Sequence, residues 1–155
     1  MRNNIRYTVV RALAVAGAFG LLAGCQTMHN MMGGAEPKMM RGETLTLSGN
    51  NEVPPNTSSA TGSANVTVHE DCTVGAKVTA SGMTATAAHI HTGAAGANGP
   101  VAVPFTKTGD NTFEAPSGAK MNPDQCAAYK AGNTYVNVHS AAHPGGEIRA
   151  QLRGR

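Results

Sequence analysis

From residue 44 onward the chain is divided into short runs rich in Val and Thr, each bounded by Gly, Pro, Asn or Ser. Such runs are typical of β-strands, and turn residues at this close spacing are typical of a β-sandwich. The run over residues 61–68 alternates in polarity, as expected of a strand with one buried face. We therefore predict an all-β sandwich with strands near residues 44–48, 61–69, 74–81, 85–91, 101–106, 111–115, 134–139 and 147–152.

One short helix is expected to interrupt the strands. Asn122 is a favourable N-cap, Pro123 suits the first helical position, and the Gln125 side chain can return to the cap in a capping box. Gly132 is a natural stop. These signals predict a helix over residues 123–130.

The first 24 residues resemble a bacterial lipoprotein signal peptide. Three arginines precede an apolar stretch over residues 12–22, which is too short to span a bilayer, and Leu-Ala-Gly-Cys follows at positions 22–25. This pattern predicts cleavage before Cys25 and its lipidation, an ordinary signal peptide with a chance cysteine being the alternative. Gln26, rather than Asp, follows the cysteine, which favours the outer membrane. We therefore expect a lipid-anchored protein of the cell envelope that faces the periplasm.

Removal of the signal peptide leaves a chain of balanced charge. Three of the 12 Lys and Arg residues lie in residues 1–24, whereas all nine Asp and Glu residues lie beyond them, so nine of each remain. Without a basic patch, without Trp and with only 4% aromatic residues, the chain lacks the features that bind nucleic acid. We expect no nucleic-acid partner, and the remaining length suits one domain, over residues 44–155.

Residues 25–43 read as a flexible, lipid-anchored linker that contains an unusual number of methionines. This segment has no periodic apolar face and cannot bury enough surface to offset the entropy lost on ordering. It nevertheless carries five of the eight methionines of the chain, and thioether sulfur is a soft ligand suited to Cu(I). The auxiliary Cu(I) ligands that we predict are Met28, His29, Met31, Met32, Met39 and Met40. The alternative is a plain tether whose methionines contact lipid or a neighbouring surface.

Two cysteines remain once Cys25 is assigned to lipidation. Cys72 and Cys126 are expected to lie in an oxidising compartment, where a disulfide is the default state of such a pair. The bond would attach the predicted helix to the strand or turn that carries Cys72. Metal ligation is the alternative, but neither cysteine lies near the histidine motifs in sequence and there is no CxxC pattern.

Three histidines on two predicted strands are the candidate functional residues. His89 and His91 alternate along one strand, so both side chains project from one face, roughly 6–7 Å apart. His139 ends another predicted strand, and a third imidazole from a neighbouring strand would complete a site for a transition metal. A single histidine in a strand is more often a surface or hydrogen-bonded residue. The alternative to metal binding for all three histidines is therefore structural hydrogen bonding.

Three motifs in order resemble the CHRD domain, named from chordin. They are LSGNNEVPP at residues 47–55, AAHIHTG at 87–93 followed by NGPV at 98–101, and YVNVHS at 135–140 followed by PGGEIRAQL at 144–152. The resemblance covers about residues 44–153. It implies a Greek-key-like antiparallel β-sandwich of the immunoglobulin or copper/zinc superoxide dismutase type, and it implies His89, His91 and His139 as metal ligands. The chain departs from the family pattern at Ala150, where Gly is usual, and at His143, which lies in a variable loop.

Copper is the metal that these residues favour, with zinc as the alternative. Three imidazoles with an open position suit either ion, whereas the Irving–Williams order and the methionine segment favour copper. His143 is a candidate fourth ligand, and Glu147 is a candidate to orient an imidazole N–H. Arg149 is expected on the same strand face as Glu147, so that a Glu147–Arg149 ion pair is the alternative for both residues.

The sequence favours a binding protein over an enzyme. We expect copper buffering, tolerance or delivery, with the membrane and a copper-handling protein as partners. An adhesive or protein-interaction module without metal is the first alternative, and a mononuclear copper superoxide dismutase-like enzyme is the second. The second has less support because only one HxH motif is present and no second cluster for a zinc partner is evident. No nucleophile or nucleotide-binding motif points to another class of enzyme.

Overall fold

The structure is a computed structural model, and it describes residues 42–154. The predicted signal peptide, the lipidation site Cys25 and the predicted Cu(I) ligands Met28, His29, Met31, Met32, Met39 and Met40 lie outside the described residues. The predicted domain lies within them except for Arg155.

The described chain is an all-β domain with a single α-helix, as predicted. Nine strands pair in antiparallel fashion in one continuous, nearly closed sheet of order β5-β4-β8-β9-β1-β2-β3-β7-β6. A 3-10 turn, Gly49–Asn51, follows the first strand. The elements are β1 Glu43–Ser48, β2 Thr61–Val68, β3 Val74–Ser81, β4 Ala85–Thr92, β5 Val101–Pro104, β6 Thr106–Gly109, β7 Thr112–Glu114, α1 Pro123–Lys130, β8 Thr134–Ser140 and β9 Ile148–Leu152.

The sheet folds into a sandwich of two layers. Layer A contains β5, β4, β8 and β9, and layer B contains β1, β2, β3, β7 and β6. Only one residue pair, Ser48 with Arg149, joins β1 to β9 at the seam between the layers. The long connection through β6, β7 and α1 returns β8 to the side of β4, which gives the domain its Greek-key-like path.

The strand predicted over residues 101–106 is two strands, and this part of the prediction was wrong. Phe105 donates its backbone N–H to the Ala88 carbonyl oxygen in layer A, whereas Thr106 already pairs with Glu114 in layer B. The chain therefore changes layers at Phe105.

The helix and the disulfide agree with the sequence predictions. The Asn122 side chain accepts a hydrogen bond from the Gln125 N–H at 2.8 Å, and the Gln125 side chain accepts one from the Asn122 N–H at 2.9 Å. Cys126 on α1 is bonded to Cys72, which lies in the turn between β2 and β3. No helix among residues 42–154 has the length and apolar character needed to cross a membrane.

Apolar side chains fill the space between the two layers. Alternation along the strands directs one set of side chains inward. The layer A contribution, called the core face below, is Ala85, Ala88, Ile90, Val103, Val136, Val138, Ile148, Ala150 and Leu152. The opposite face of layer A is also largely buried, because all seven residues of β8 are buried although their side chains alternate between the two faces. That second buried face carries the histidines.

Candidate metal centre

Strand pairing brings the three predicted histidines onto one surface. His89 pairs with Asn137, which pairs with Arg149; His91 pairs with Tyr135, which pairs with Gln151. Register partners in an antiparallel sheet share a face. We call this surface of layer A the histidine face, and its residues are His89, His91, Tyr135, Asn137, His139, Arg149 and Gln151.

The ring nitrogens of the three histidines converge. His89 Nδ1 and His139 Nε2 are 3.0 Å apart, and one nitrogen from each of the three rings lies within 4.8 Å of the others. The ring centroids are 4.9–5.7 Å apart. His91 and His139 are buried, whereas His89 is partly exposed and forms the solvent side of the cluster.

Backbone carbonyl groups fix the orientation of two of the rings. His91 Nδ1 lies 3.0 Å from the Gly99 carbonyl oxygen, and His139 Nδ1 lies 3.0 Å from the Pro144 carbonyl oxygen. A carbonyl only accepts, so each Nδ1 carries the proton and each Nε2 presents a lone pair. The Nε2 of His91 is buried and has no hydrogen-bond partner among the described residues.

Gly99 is required at its position by close packing. A Cβ atom there would collide with the Thr92 carbonyl oxygen, so only glycine lets the loop after β4 fold back far enough to reach His91. The Gly99 N–H donates to the Tyr135 hydroxyl at 3.2 Å, which holds the same peptide from its other side.

The environment keeps the imidazoles neutral, which is the form that binds metal. Burial, together with the positive charges that His139 and His91 would carry, lowers the pKa of His89 from 6.5 to about 4. Burial also lowers the pKa of His91 and of His139, although their hydrogen bonds to Gly99 and Pro144 oppose the change. At neutral pH all three rings are therefore neutral. The His91 Nε2 lone pair has no partner among the described residues, whereas the His139 Nε2 lone pair accepts a hydrogen bond from the His89 Nδ1–H.

A stack of three side chains supports His91. Its ring lies parallel to that of Tyr135, with centroids 5.0 Å apart, and the Arg149 guanidinium carbon lies 3.4 Å from the Tyr135 centroid. Arg149, only 2% exposed, also donates to the carbonyl oxygens of Ala94 and Ala97. The arginine thus ties the loop after β4 to the histidine face.

A buried acid on this side of the molecule, Glu52, was missed by the sequence analysis. It follows the 3-10 turn, is 6% exposed, and accepts a long hydrogen bond of 3.4 Å from Asn137 Nδ2. Burial raises its pKa from 4.5 to about 7, although the charge of Arg149 and the Asn137 bond oppose the rise. Glu52 lies in a loop motif between two asparagines and two prolines, and nothing in this local sequence predicts that its side chain is buried.

The structure places His143 and Glu147 away from the converging nitrogens. His143 is not among the described residues whose ligand atoms cluster. Glu147 accepts a hydrogen bond of 2.6 Å from Ser58 Oγ, and its backbone N–H pairs with the Val138 carbonyl oxygen. Backbone carbonyls, rather than the predicted Glu147 carboxylate, orient the imidazoles. Arg149 binds loop carbonyls and does not form the alternative ion pair with Glu147.

The cluster approaches the dimensions of a three-nitrogen metal site. Metal–nitrogen distances near 2.0–2.1 Å in tetrahedral geometry require nitrogens about 3.3 Å apart. His89 Nδ1 and His139 Nε2, which share a hydrogen bond, are 3.0 Å apart, close to this value, and all three nitrogens lie within 4.8 Å of one another. His89 is the most exposed of the three rings.

Comparison with known proteins yields one match. The family model for the CHRD domain matches residues 44–152, which is nearly the whole described chain. No curated protein and no solved structure matches the sequence.

Proposed function

The chain belongs to the CHRD domain family, and within it we propose that this protein binds one copper ion through His89, His91 and His139. The observation that supports this most strongly is the buried Nε2 of His91. Its lone pair has no partner among the described residues, while Nδ1 is committed to Gly99. A buried acceptor without a partner is costly, and a metal ion would satisfy it.

The other two ligands support the same conclusion. His139 Nδ1 is bound to the Pro144 carbonyl, so in the metal-free protein its Nε2 accepts a hydrogen bond from the His89 Nδ1–H. A copper ion would take the place of this proton, which moves to His89 Nε2, and would bind His139 Nε2 and His89 Nδ1. Three neutral nitrogen ligands leave a coordination position open for a fourth ligand, such as water or a group from a partner. Copper is favoured over zinc because it is bound more tightly by nitrogen ligands of unspecialised geometry.

Cellular placement follows from the N-terminal sequence and remains part of the proposal. Lipid attachment at Cys25 would hold the domain at the envelope membrane, facing the periplasm. The methionines of residues 28–40 would bind Cu(I) and pass it to or from a copper-handling protein. The role is copper buffering, tolerance or delivery, and the proposal includes no catalytic step.

Copper titration of the protein, purified without a histidine tag, tests the binding site. One equivalent of Cu(II) should bind, and His91→Ala should lower the affinity by about a thousandfold because a buried ligand is removed. His69→Ala is the matched control, since His69 lies outside the cluster, and should bind as the wild type does. Absence of stoichiometric binding, or equal binding by His91→Ala, would contradict the proposal and favour an interaction module.

Labelling with a radioactive fatty acid in the cell tests the anchor separately. The wild type should incorporate label and fractionate with membranes, whereas Cys25→Ser should do neither. Replacement of the five linker methionines with Ala should slow Cu(I) transfer to a chelator while leaving Cu(II) binding by the domain unchanged. Unlabelled wild-type protein would refute the anchor without bearing on the histidine centre.

A further inference from the structure

We propose that Glu52 sets the preference of the histidine centre for a divalent over a monovalent metal ion. This inference rests on the proposed function. It concerns an acid that binds no metal itself and acts through its charge.

Glu52 is connected to the centre through Asn137. Asn137 lies beside His89 in the strand register, and two residues along β8 from His139 on the same face. Its Nδ2 donates to Glu52 Oε2, which places the Glu52 carboxylate over the middle of the histidine face. Since neighbouring strands are about 5 Å apart, the carboxylate lies within about 10 Å of an ion bound by the histidines.

The histidine face has no negative charge of its own to balance a bound metal cation, so Glu52 would supply the compensating charge. The three imidazole ligands are neutral, and Arg149 contributes a buried positive charge that reaches His91. A divalent ion would add two more positive charges to a region poor in water. Among the described residues, Glu52 is the acid that is hydrogen-bonded to this face, whereas Glu147 is bound to Ser58 and Glu43 is bound to Tyr129.

The unsatisfied atoms around Glu52 indicate that the carboxylate lacks its full set of partners. Glu52 Oε1 and Asn137 Oδ1 are both buried without a hydrogen-bond partner among the described residues. The groups that face Glu52 are Arg149 from β9, Asn137 from β8 and, across a cavity of about 350 Å³, Asn98 and His143. Within this set the Arg149 charge and the Asn137 hydrogen bond stabilise the carboxylate form but do not outweigh burial, so a cation at the histidines would stabilise it further.

Charge selectivity gives this role a distinct signature. A unit negative charge attracts a divalent ion with twice the energy of a monovalent ion at the same distance. Loss of the charge should therefore reduce the divalent affinity by about the square of the monovalent reduction. If Ag(I) affinity falls about threefold, Zn(II) affinity should fall about tenfold.

Titrations of wild type and Glu52→Gln with Zn(II) and with Ag(I) at pH 8 test the inference. Gln is close in shape to Glu and retains an oxygen that accepts from Asn137. Glu43→Gln is the matched control, because Glu43 is also buried but contacts Tyr129 and the Arg153 N–H instead. The Zn(II)-to-Ag(I) affinity ratio should fall in Glu52→Gln and stay at the wild-type value in Glu43→Gln.

The outcomes separate the two proposals. Wild-type protein that binds neither ion would overturn the metal site itself. Wild-type binding of both ions, with equal losses or no loss in Glu52→Gln, would overturn the role of Glu52 alone, since a merely structural defect would weaken both ions alike.

A measurement on the wild type covers the case in which Glu52→Gln does not fold. NMR titration of the Glu52 carboxyl carbon gives its pKa without metal, with Zn(II) and with Ag(I). By thermodynamic linkage Zn(II) should lower this pKa more than Ag(I) does. Equal shifts, or none, would contradict the inference.

Discussion

The two faces of layer A are both buried, yet they are built from opposite kinds of residue. The core face presents aliphatic side chains such as Ile90 and Val138 to layer B, whereas the histidine face presents imidazoles, an amide and a guanidinium. Loops cover the histidine face: Arg149 holds the loop after β4, and Pro144 holds His139. The core face is stabilised by the removal of apolar surface from water, whereas burial of the histidine face is favourable only where its polar atoms are hydrogen-bonded.

This difference shows where function is placed in the domain. A packed aliphatic face tolerates no unfilled space, so it has little room for chemistry. Of the five buried polar atoms without a partner among the described residues, two belong to the histidine face, His91 Nε2 and Asn137 Oδ1, and a third, Glu52 Oε1, lies against it; the other two are His69 Nδ1 and Thr134 Oγ1. Native proteins carry few such atoms, and here three occur together on one side of the sheet.

The largest stability effect is expected from the core face. Ile90 lies between His89 and His91 but points the opposite way and is fully buried. Ile90→Ala should reduce the free energy of unfolding by about 4 kcal/mol, because a cavity replaces the side chain. Urea denaturation measures this. Copper stoichiometry should remain one per folded protein. Loss of copper binding by the folded variant would contradict the view that the core face serves stability and the histidine face serves metal binding.

A somewhat smaller effect, of opposite sign, is expected at Glu52. Its folded-state pKa of about 7 exceeds the ordinary 4.5, so the wild type loses stability as the pH rises from about 4.5 through 7. Glu52→Gln should therefore be more stable than the metal-free wild type by about 3 kcal/mol at pH 8, and equally stable at pH 4. Denaturation at both pH values measures the difference, and a gain that does not vary with pH would argue against a buried, titrating carboxyl.

Gly146 provides a test of packing on the histidine face. It has a φ of 136°, and a Cβ atom there would lie 2.5–2.9 Å from the Asn137 side-chain amide. Gly146→Ala should cost about 2 kcal/mol through backbone strain and displacement of Asn137. Gly145→Ala is the matched control, since its Cβ would meet no atom within 4 Å. Thermal unfolding of both variants should shift only for Gly146.

The smallest effect is expected at the Tyr135 hydroxyl. Tyr135→Phe removes the acceptor of the Gly99 N–H but retains the ring that stacks on His91. The free energy of unfolding should fall by about 1 kcal/mol, the net value of one hydrogen bond, with copper affinity almost unchanged. A large loss of affinity, measured by competition with a chelator, would show that the hydroxyl positions His91 more strongly than stacking does.

Local sequence signals predicted most of the fold. Turn residues and alternation located eight of the nine strands to within a few residues, and the Asn122 cap located the helix. The change of layer at Phe105 was not predicted, because an apolar residue within an apolar run gives no local sequence signal for a strand boundary. Phe105 pairs with Ala88 of β4, and the next residue, Thr106, pairs with Glu114 of β7. The point at which the chain leaves one layer for the other therefore depends on tertiary pairing.

The candidate site was predictable in part. The HxH spacing placed His89 and His91 on one face, and the CHRD resemblance added His139, which the structure brings within reach of them. The structure pairs Glu147 with Ser58, and the carbonyl oxygens of Gly99 and Pro144 face the imidazole Nδ1 atoms; such backbone partners have no signature in side-chain identity. Glu52 could not be anticipated, because its burial depends on loop packing against strands about 85 residues away.

The crossing of the chain at Phe105 has a consequence for the behaviour of the protein at high concentration. The two ends of the nine-stranded order, β5 and β6, are consecutive pieces of the same short segment, residues 101–109. An open sheet offers unpaired edges that recruit other chains into aggregates. Here each terminal strand has only four residues, with Pro104 closing β5 and Lys107 within β6, so the described domain offers little template for intermolecular β-sheet growth.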